Sequence, residues 1–78
     1  MPYNTTNDLP QGVKHALPEH AQGIWKEAFN HAWDEYADAS KRRDNESHEE
    51  TAARVAWAAV EHEYEKGEDG QWHKKAIN

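Results

Sequence analysis

The sequence of 78 residues contains no cysteine. Disulfide bonds, thiolate zinc sites and cysteine nucleophiles are therefore all excluded. A chain of this length has room for one hydrophobic core. A domain below about 80 residues gains only about 3–5 kcal/mol from its core unless a cross-link or metal supports it. Packing of side chains must therefore stabilise the fold.

Long apolar runs are missing as well. No stretch approaches the roughly 20 apolar residues that span a bilayer, and the first residues lack the basic and apolar regions of a signal peptide. We therefore expect a cytoplasmic protein that does not insert into the membrane. The formal net charge of −6 with neutral histidines opposes attraction to phosphate backbones, which makes nucleic acid a disfavoured partner.

Motifs of catalysis and phosphate binding are also lacking. The four glycines are too scattered to form a phosphate-binding loop, and no hydroxyl lies in a nucleophile motif. The six histidines form no H-x-x-x-H or H-E-x-x-H arrangement, which would place two neighbouring rings on one helix face. We therefore expect partly exposed polar residues, some hydrogen-bonded to helix ends. The sequence therefore predicts a protein that is not an enzyme.

Aromatic residues are plentiful, with four Trp, three Tyr and one Phe. Most of them recur with alanine at helical spacing within residues 18–38 and 48–66. A shorter helix over residues 9–17 precedes them, and Pro18 marks the corner between the first two helices. Gly23 lies on the polar side of the second helix, where it costs up to about 1 kcal/mol relative to alanine. Close approach of another backbone would explain it.

The pattern predicts a mainly α, compact three-helix domain over residues 1–78. Ser47 and Glu50 match a capping box at the start of the third helix, which we expect to end at Lys66 before Gly67. Residues 2–4 and 71–74 are candidate strands, and a small two-stranded sheet joining the chain ends would shelter their aromatic residues.

A charged loop over residues 39–47 carries the candidate binding residues. Its carboxylates and those beside it attract hard cations, but the loop departs from the EF-hand pattern and also carries competing cations. We therefore expect no cofactor beyond weak association of Ca²⁺ or Mg²⁺. The alternative is a nucleic-acid-associated domain in which the basic cluster contacts phosphates. The candidate metal ligands are Asp38, Asp44, Glu46, Glu49 and Glu50, and the basic cluster is Lys41, Arg42 and Arg43.

Several segments resemble the bacterial ChaB family, and together they cover nearly the whole chain. They include Asp8-Leu9-Pro10, Lys26-Glu27-Ala28-Phe29-Asn30, Arg42-Arg43-Asp44, Glu49-Glu50-Thr51-Ala52 and Trp72-His73-Lys74-Lys75. The resemblance implies three helices with a small two-stranded sheet, a highly charged loop and no catalytic motif. It further implies a non-enzymatic role in regulating a Na⁺ or Ca²⁺/proton antiporter of the cytoplasmic membrane, which would be the partner.

Overall fold

The computed structural model describes residues 2–43 and 45–75. Three helices and two short strands follow one another in it, with a 3-10 turn before the first helix and another after the second. The elements are the turn Thr6–Asp8, α1 (Gln11–Ala16), α2 (Glu19–Glu35), the turn Ala39–Lys41, α3 (His48–Glu61), β1 (Tyr64–Lys66) and β2 (Trp72–Lys74). This confirms the predicted fold class, a compact and mainly helical domain with a small two-stranded sheet.

The core lies between α2 and α3. Trp25 and Phe29 of α2 are only 2% and 1% exposed, and they face small residues of α3, Ala52 and Ala56, that are fully buried. Rings on one helix and alanines on the other let the two backbones approach while the space between them stays filled. The remaining buried apolar side chains close the ends of this layer, namely Leu9, Val13, Leu17, Ala21, Ala32, Val60 and Tyr64.

Local signals set the helix starts. Ser47 Oγ accepts a hydrogen bond from Glu50 N at 3.1 Å, and Glu50 Oε1 accepts one from Ser47 N at 3.0 Å. The predicted capping box is therefore confirmed. Pro18 is the N-cap of α2, as expected of a residue that cannot continue the preceding helix but suits the start of the next. Within residues 2–43 and 45–75, no helix is long and apolar enough to cross a membrane.

The predicted end of the third helix was wrong, whereas the predicted strand over residues 71–74 is present as β2. α3 ends at Glu61 rather than near residue 66, and Tyr64–Lys66 forms β1. β1 pairs antiparallel with β2 in a register that places Tyr64 opposite Lys74 and Lys66 opposite Trp72. A short turn joins the two strands and contains Gly70 at φ 84°, a backbone region that favours glycine. A local hairpin closes a shorter loop than pairing of the chain ends would, so its entropic cost is lower.

The predicted strand over residues 2–4 is also wrong, because this segment lies against α2 instead of joining the sheet. Asn30 holds it through both sides of its amide: Tyr3 N donates to Asn30 Oδ1 at 2.8 Å, and Asn30 Nδ2 donates to Tyr3 O at 2.8 Å. The Tyr3 ring lies 5.0 Å from the Phe29 ring. A side-chain amide thus satisfies the backbone groups that a neighbouring strand was expected to satisfy.

Candidate functional site

Asp38 directly precedes the charged loop, and its carboxylate is hydrogen-bonded within a local turn. Its Oδ1 accepts hydrogen bonds from Ser40 N and Ser40 Oγ, both at 2.9 Å, and so caps the turn Ala39–Lys41. These hydrogen bonds lower the pKa of Asp38, first through the backbone N–H and then through the hydroxyl, with smaller help from Lys41 and Arg42. The carboxylate is therefore held ionised by the protein itself.

Glu46 ties the other end of the loop to α3. Its carboxylate accepts from Arg54 Nε at 3.1 Å, from Arg54 Nη2 at 3.2 Å and from Thr51 Oγ1 at 2.9 Å. The Arg54 hydrogen bond and then the Thr51 hydrogen bond lower the pKa of Glu46, and the same Glu46 hydrogen bond raises the pKa of Arg54. Thr51 is fully buried, so its hydroxyl depends on this carboxylate for a partner.

The two carboxylates in the first turn of α3 differ in their surroundings. Glu50 belongs to the capping box, whereas Glu49 is exposed. Burial of the Tyr3 ring raises the pKa of Tyr3, and the charge of Glu49 raises it further. The fifth candidate ligand, Asp44, lies outside the described residues.

The structure thus gives three of the candidate ligands separate local partners. Across residues 2–43 and 45–75, no group of three or more histidine or carboxylate side chains is arranged to hold a metal ion. A cation approaching Asp38, Glu46 or Glu50 would compete with Ser40, with Arg54 and Thr51, or with the Ser47 backbone. The sequence-based set of cation ligands therefore stays a prediction.

The basic cluster is intermingled with acidic residues. Lys41 and Arg43 are exposed and Arg42 is half-buried, with its Nε enclosed and lacking a hydrogen-bond partner among the described residues. The charges of Lys41 and Arg42 act on Asp38, and the charge of Arg43 acts on Glu46. Neighbouring carboxylates reduce the positive potential that a phosphate backbone would meet.

The histidines with described contacts serve local structure. His48 stacks on Trp33 with ring centroids 3.5 Å apart and an interplanar angle of 15°. Its Nε2 lies 2.6 Å from the Trp33 carbonyl oxygen in the last turn of α2, and when protonated it donates to a carbonyl that the helix end leaves open. His73 pairs with Asp69 across the hairpin turn at 3.2 Å. Hydrogen bonding to helix ends was expected, and His48 confirms it.

A groove that the sequence analysis did not predict runs along α2 and the adjoining flank of α3. It encloses about 950 Å³. We call it the α2–α3 groove and define it by its apolar lining residues Gly23, Ile24, Ala28, Ala32, Val55 and Ala59. Three exposed carboxylates stand along its rim, those of Glu19, Glu27 and Glu35.

The groove follows from an asymmetry of side-chain size on the two flanks of α2. Ile24 and Ala28 point to one flank, and the larger rings of Phe29 and Trp33 point to the other, since the two sets differ by about one residue, or 100°, around the helix. The alanine and glycine content of one flank was visible in the sequence. Whether another element fills the space beside it depends on how the helices cross, which periodicity does not report.

The chain is similar to known proteins over nearly its whole length. The sequence model of the ChaB family matches residues 9–75. The chain therefore belongs to the ChaB family. It is 66% identical over 76 residues, 97% of this chain and 100% of the relative, to the "Putative cation transport regulator ChaB" of Escherichia coli (strain K12). The same values hold for the ChaB proteins of Escherichia coli O157:H7 and Shigella flexneri.

A ChaB protein has also been solved by NMR in solution. That structure, of the "putative cation transport regulator ChaB", is 65% identical and superposes with a TM-score of 0.81, covering 96% of this chain and 100% of that chain. The ChaB resemblance seen in the sequence is thereby confirmed in both sequence and fold. The shared architecture includes the helices that carry the charged loop and the α2–α3 groove.

Proposed function

We propose that this protein is a non-enzymatic regulator that binds a Na⁺ or Ca²⁺/proton antiporter of the cytoplasmic membrane from its cytoplasmic side. The observation that carries the proposal is the 66% identity over 97% of the chain to ChaB proteins whose name describes cation transport regulation. Regulation by binding needs a recognition surface and no catalytic centre. The surface beside the charged loop has a distinct chemistry and offers such a recognition surface.

Charge supports this proposal. The chain has a net charge of −6, and Asp34, Glu35 and Glu49 are exposed at the helix ends beside the charged loop. Cytoplasmic loops of membrane proteins carry an excess of lysine and arginine. Opposite charge speeds the encounter of two surfaces and fixes their orientation. The end of α2 and the start of α3 therefore suit the cytoplasmic loops of a transporter.

The direct test uses everted membrane vesicles that contain the antiporter, because their outer surface is the cytoplasmic one. Purified protein is added, and the pH gradient dissipated by Na⁺ or Ca²⁺ is followed with a fluorescent dye. We expect a saturable change in antiport rate that weakens as ionic strength rises, because salt screens exposed charges beyond about 8 Å at physiological strength.

Matched charge reversals locate the surface. Glu49→Lys, beside the charged loop, should shift the concentration for half-maximal effect upward, whereas Glu65→Lys on exposed β1 should leave it in place. An unrelated acidic protein of similar size serves as the control for bulk charge. An antiport rate that does not change at any concentration of added protein would contradict the proposed function.

Weak cation association at the charged loop is a second, narrower proposal. Protein donors already occupy Asp38, Glu46 and Glu50, which supports affinity in the range of the weakest calcium sites, about 10⁻⁴–10⁻³ M. A Ca²⁺ titration followed by amide NMR should move signals between residues 38 and 50. Signals that stay fixed at millimolar Ca²⁺ would overturn it.

The nucleic-acid alternative has less support from the same geometry. Lys41, Arg42 and Arg43 lie beside Asp38 and Glu46, whose carboxylates face their charge. A gel-shift assay with a short duplex at low salt separates the two hypotheses, because phosphate contacts are strongest there. A retarded band that Arg43→Gln abolishes would favour the nucleic-acid alternative over antiporter regulation.

A further inference from the structure

The α2–α3 groove has the chemistry of a docking site for a helix. Its lining is apolar and half-buried along Gly23, Ile24, Ala28, Val55 and Ala59. All of its polar lining residues except the half-buried Lys26 are exposed, which differs from a small-molecule pocket, where a few polar groups inside fix the ligand. The lining therefore suits the apolar stripe of an amphipathic helix.

The length of the groove also suits a helix. Its rim carboxylates extend from Glu19 to Glu35, which at 1.5 Å per residue is roughly 24 Å along α2. An amphipathic helix of about 16 residues covers the same distance and contacts such a groove through residues at i, i+3, i+4 and i+7. Small residues in the lining let two helix axes come within about 8 Å.

The charge of the rim defines the partner further. Glu19, Glu27 and Glu35 are exposed, and the one lysine in the lining, Lys26, already pairs with Glu27 at 2.9 Å. The rim therefore carries net negative charge when the histidines beside it, His20 and His31, are neutral. A second copy of this chain would bring its own charge of −6 to an acidic rim and would be repelled. A helix with basic flanks is attracted.

Gly23 supplies an independent observation. A Cβ added at this position meets no atom within 4 Å, so the protein itself has no steric need for glycine there. Gly23 lies inside α2, where glycine costs about 1 kcal/mol relative to alanine. Gly12 in α1 also meets nothing, but Gly23 lies in the groove lining, where the missing Cβ leaves room for a partner backbone.

From these features we propose that the α2–α3 groove binds an amphipathic helix of a partner protein, with an apolar stripe on the floor and lysine or arginine along both flanks. The proposal is drawn from the groove alone and holds whether or not the partner is a transporter. It places the contact surface on α2 and α3.

The test titrates the full-length, isotope-labelled protein with a synthetic peptide of 18 residues. The peptide carries leucine and alanine at i, i+3, i+4 and i+7 and lysine or arginine on the flanks. One control peptide has glutamate in place of every lysine and arginine, and another has the same composition in scrambled order. We expect saturable amide shifts at Gly23, Ala28 and Val55, with the basic peptide binding at least tenfold more tightly than either control.

Matched variants distinguish groove binding from charge attraction. Gly23→Leu projects a side chain into the groove without an internal clash and should weaken binding at least tenfold, while its melting temperature does not fall. Gly12→Leu is the control, because a Cβ at this exposed position in α1 also meets nothing within 4 Å but lies outside the groove. It should bind the peptide as the parent protein does.

Charge variants complete the experiment. Glu27→Gln with Glu35→Gln should lower the affinity several-fold at low salt and make no difference at high salt, whereas Glu61→Gln with Glu65→Gln should have little effect at either. Equal binding by the parent and Gly23→Leu would overturn the proposal. Self-association on light scattering that Gly23→Leu abolishes would also overturn it, by assigning the groove to a second copy. Neither result bears on the antiport assay, so the two proposals fail separately.

Discussion

The two flanks of the α2–α3 pair differ in what covers them. On the aromatic flank, Trp25 and Phe29 stack at 5.1 Å and Trp57 stacks on Trp72 at 5.4 Å, so that the N-terminal segment and the hairpin both pack there. On the opposite flank, the α2–α3 groove is lined by small side chains. Large rings recruit the short elements of the chain, whereas small residues leave a surface suited to a partner.

Removing a ring from the aromatic flank is the strongest test of the difference between the two flanks. Phe29→Ala should cost about 3–5 kcal/mol of unfolding free energy, which matches the ~3–5 kcal/mol that the core of so small a domain supplies. We expect a largely unfolded chain by circular dichroism. Ile24→Ala, at a half-buried position of the groove, should lose less than half as much in urea denaturation. Equal losses would contradict the difference between the flanks.

Asn30→Ala tests how the N-terminal segment is held on the aromatic flank. The substitution removes both hydrogen bonds to the Tyr3 backbone, and at about 1 kcal/mol each the loss is roughly 2 kcal/mol. Hydrogen exchange at the Tyr3 amide should accelerate as well. Unchanged exchange in Asn30→Ala would show that ring packing alone holds the segment.

Thr51→Val tests the link between the charged loop and α3. The valine keeps the buried shape but cannot donate to Glu46, so unfolding free energy should fall by about 1 kcal/mol. A double-mutant cycle with Glu46→Ala, which removes the acceptor, isolates the interaction, because residues of one hydrogen-bond network are not additive. Strict additivity of the two substitutions would mean that the hydroxyl and the carboxylate act independently.

The smallest expected effect is the loss of stability that Glu46 causes at acidic pH. The pKa of Glu46 is lowered in the folded protein by Arg54 and Thr51, so its contribution to stability is present above the ordinary pKa of 4.5 and is lost as pH falls through the folded value. Solvent screening keeps this effect small, because Arg54 is 36% exposed. Urea midpoints between pH 5 and pH 3 should fall less in Glu46→Gln than in the parent protein.

Local patterns predicted much of this architecture. Trp25 and Phe29 recur at the helical period, and Ser47 with Glu50 satisfies the open N–H groups of the same turn, so a few neighbouring residues determine each feature. The end of α3 was mispredicted because Tyr64 continues the helical spacing of the stripe. Its place in β1 depends on the turn at Gly70 and on pairing with Trp72–Lys74, which periodicity does not encode.

Prediction of the candidate site was more limited because sites depend on contacts between elements. The sequence indicated a cluster of carboxylates around the loop. It did not show that Ser40 donates hydrogen bonds to Asp38, or that Arg54, eight residues further along the chain, donates them to Glu46. The same holds for the groove: the sequence placed Gly23 on the polar side of the second helix, but it is half-buried in the groove lining with Val55 and Ala59. That placement depends on the packing of α2 on α3.

The stack of Trp57 on Trp72, tilted by 30°, makes the hairpin its own optical reporter. Two indoles this close share their electronic excitation, so this pair adds a contribution to circular dichroism in the aromatic bands that is lost when β2 leaves α3. The Trp25–Trp57 pair, at 6.0 Å, remains. The contribution of the Trp57–Trp72 pair is insensitive to the opposite flank of the helix pair. Detachment of the hairpin can therefore be followed by circular dichroism on the sample whose groove occupancy is followed by amide NMR.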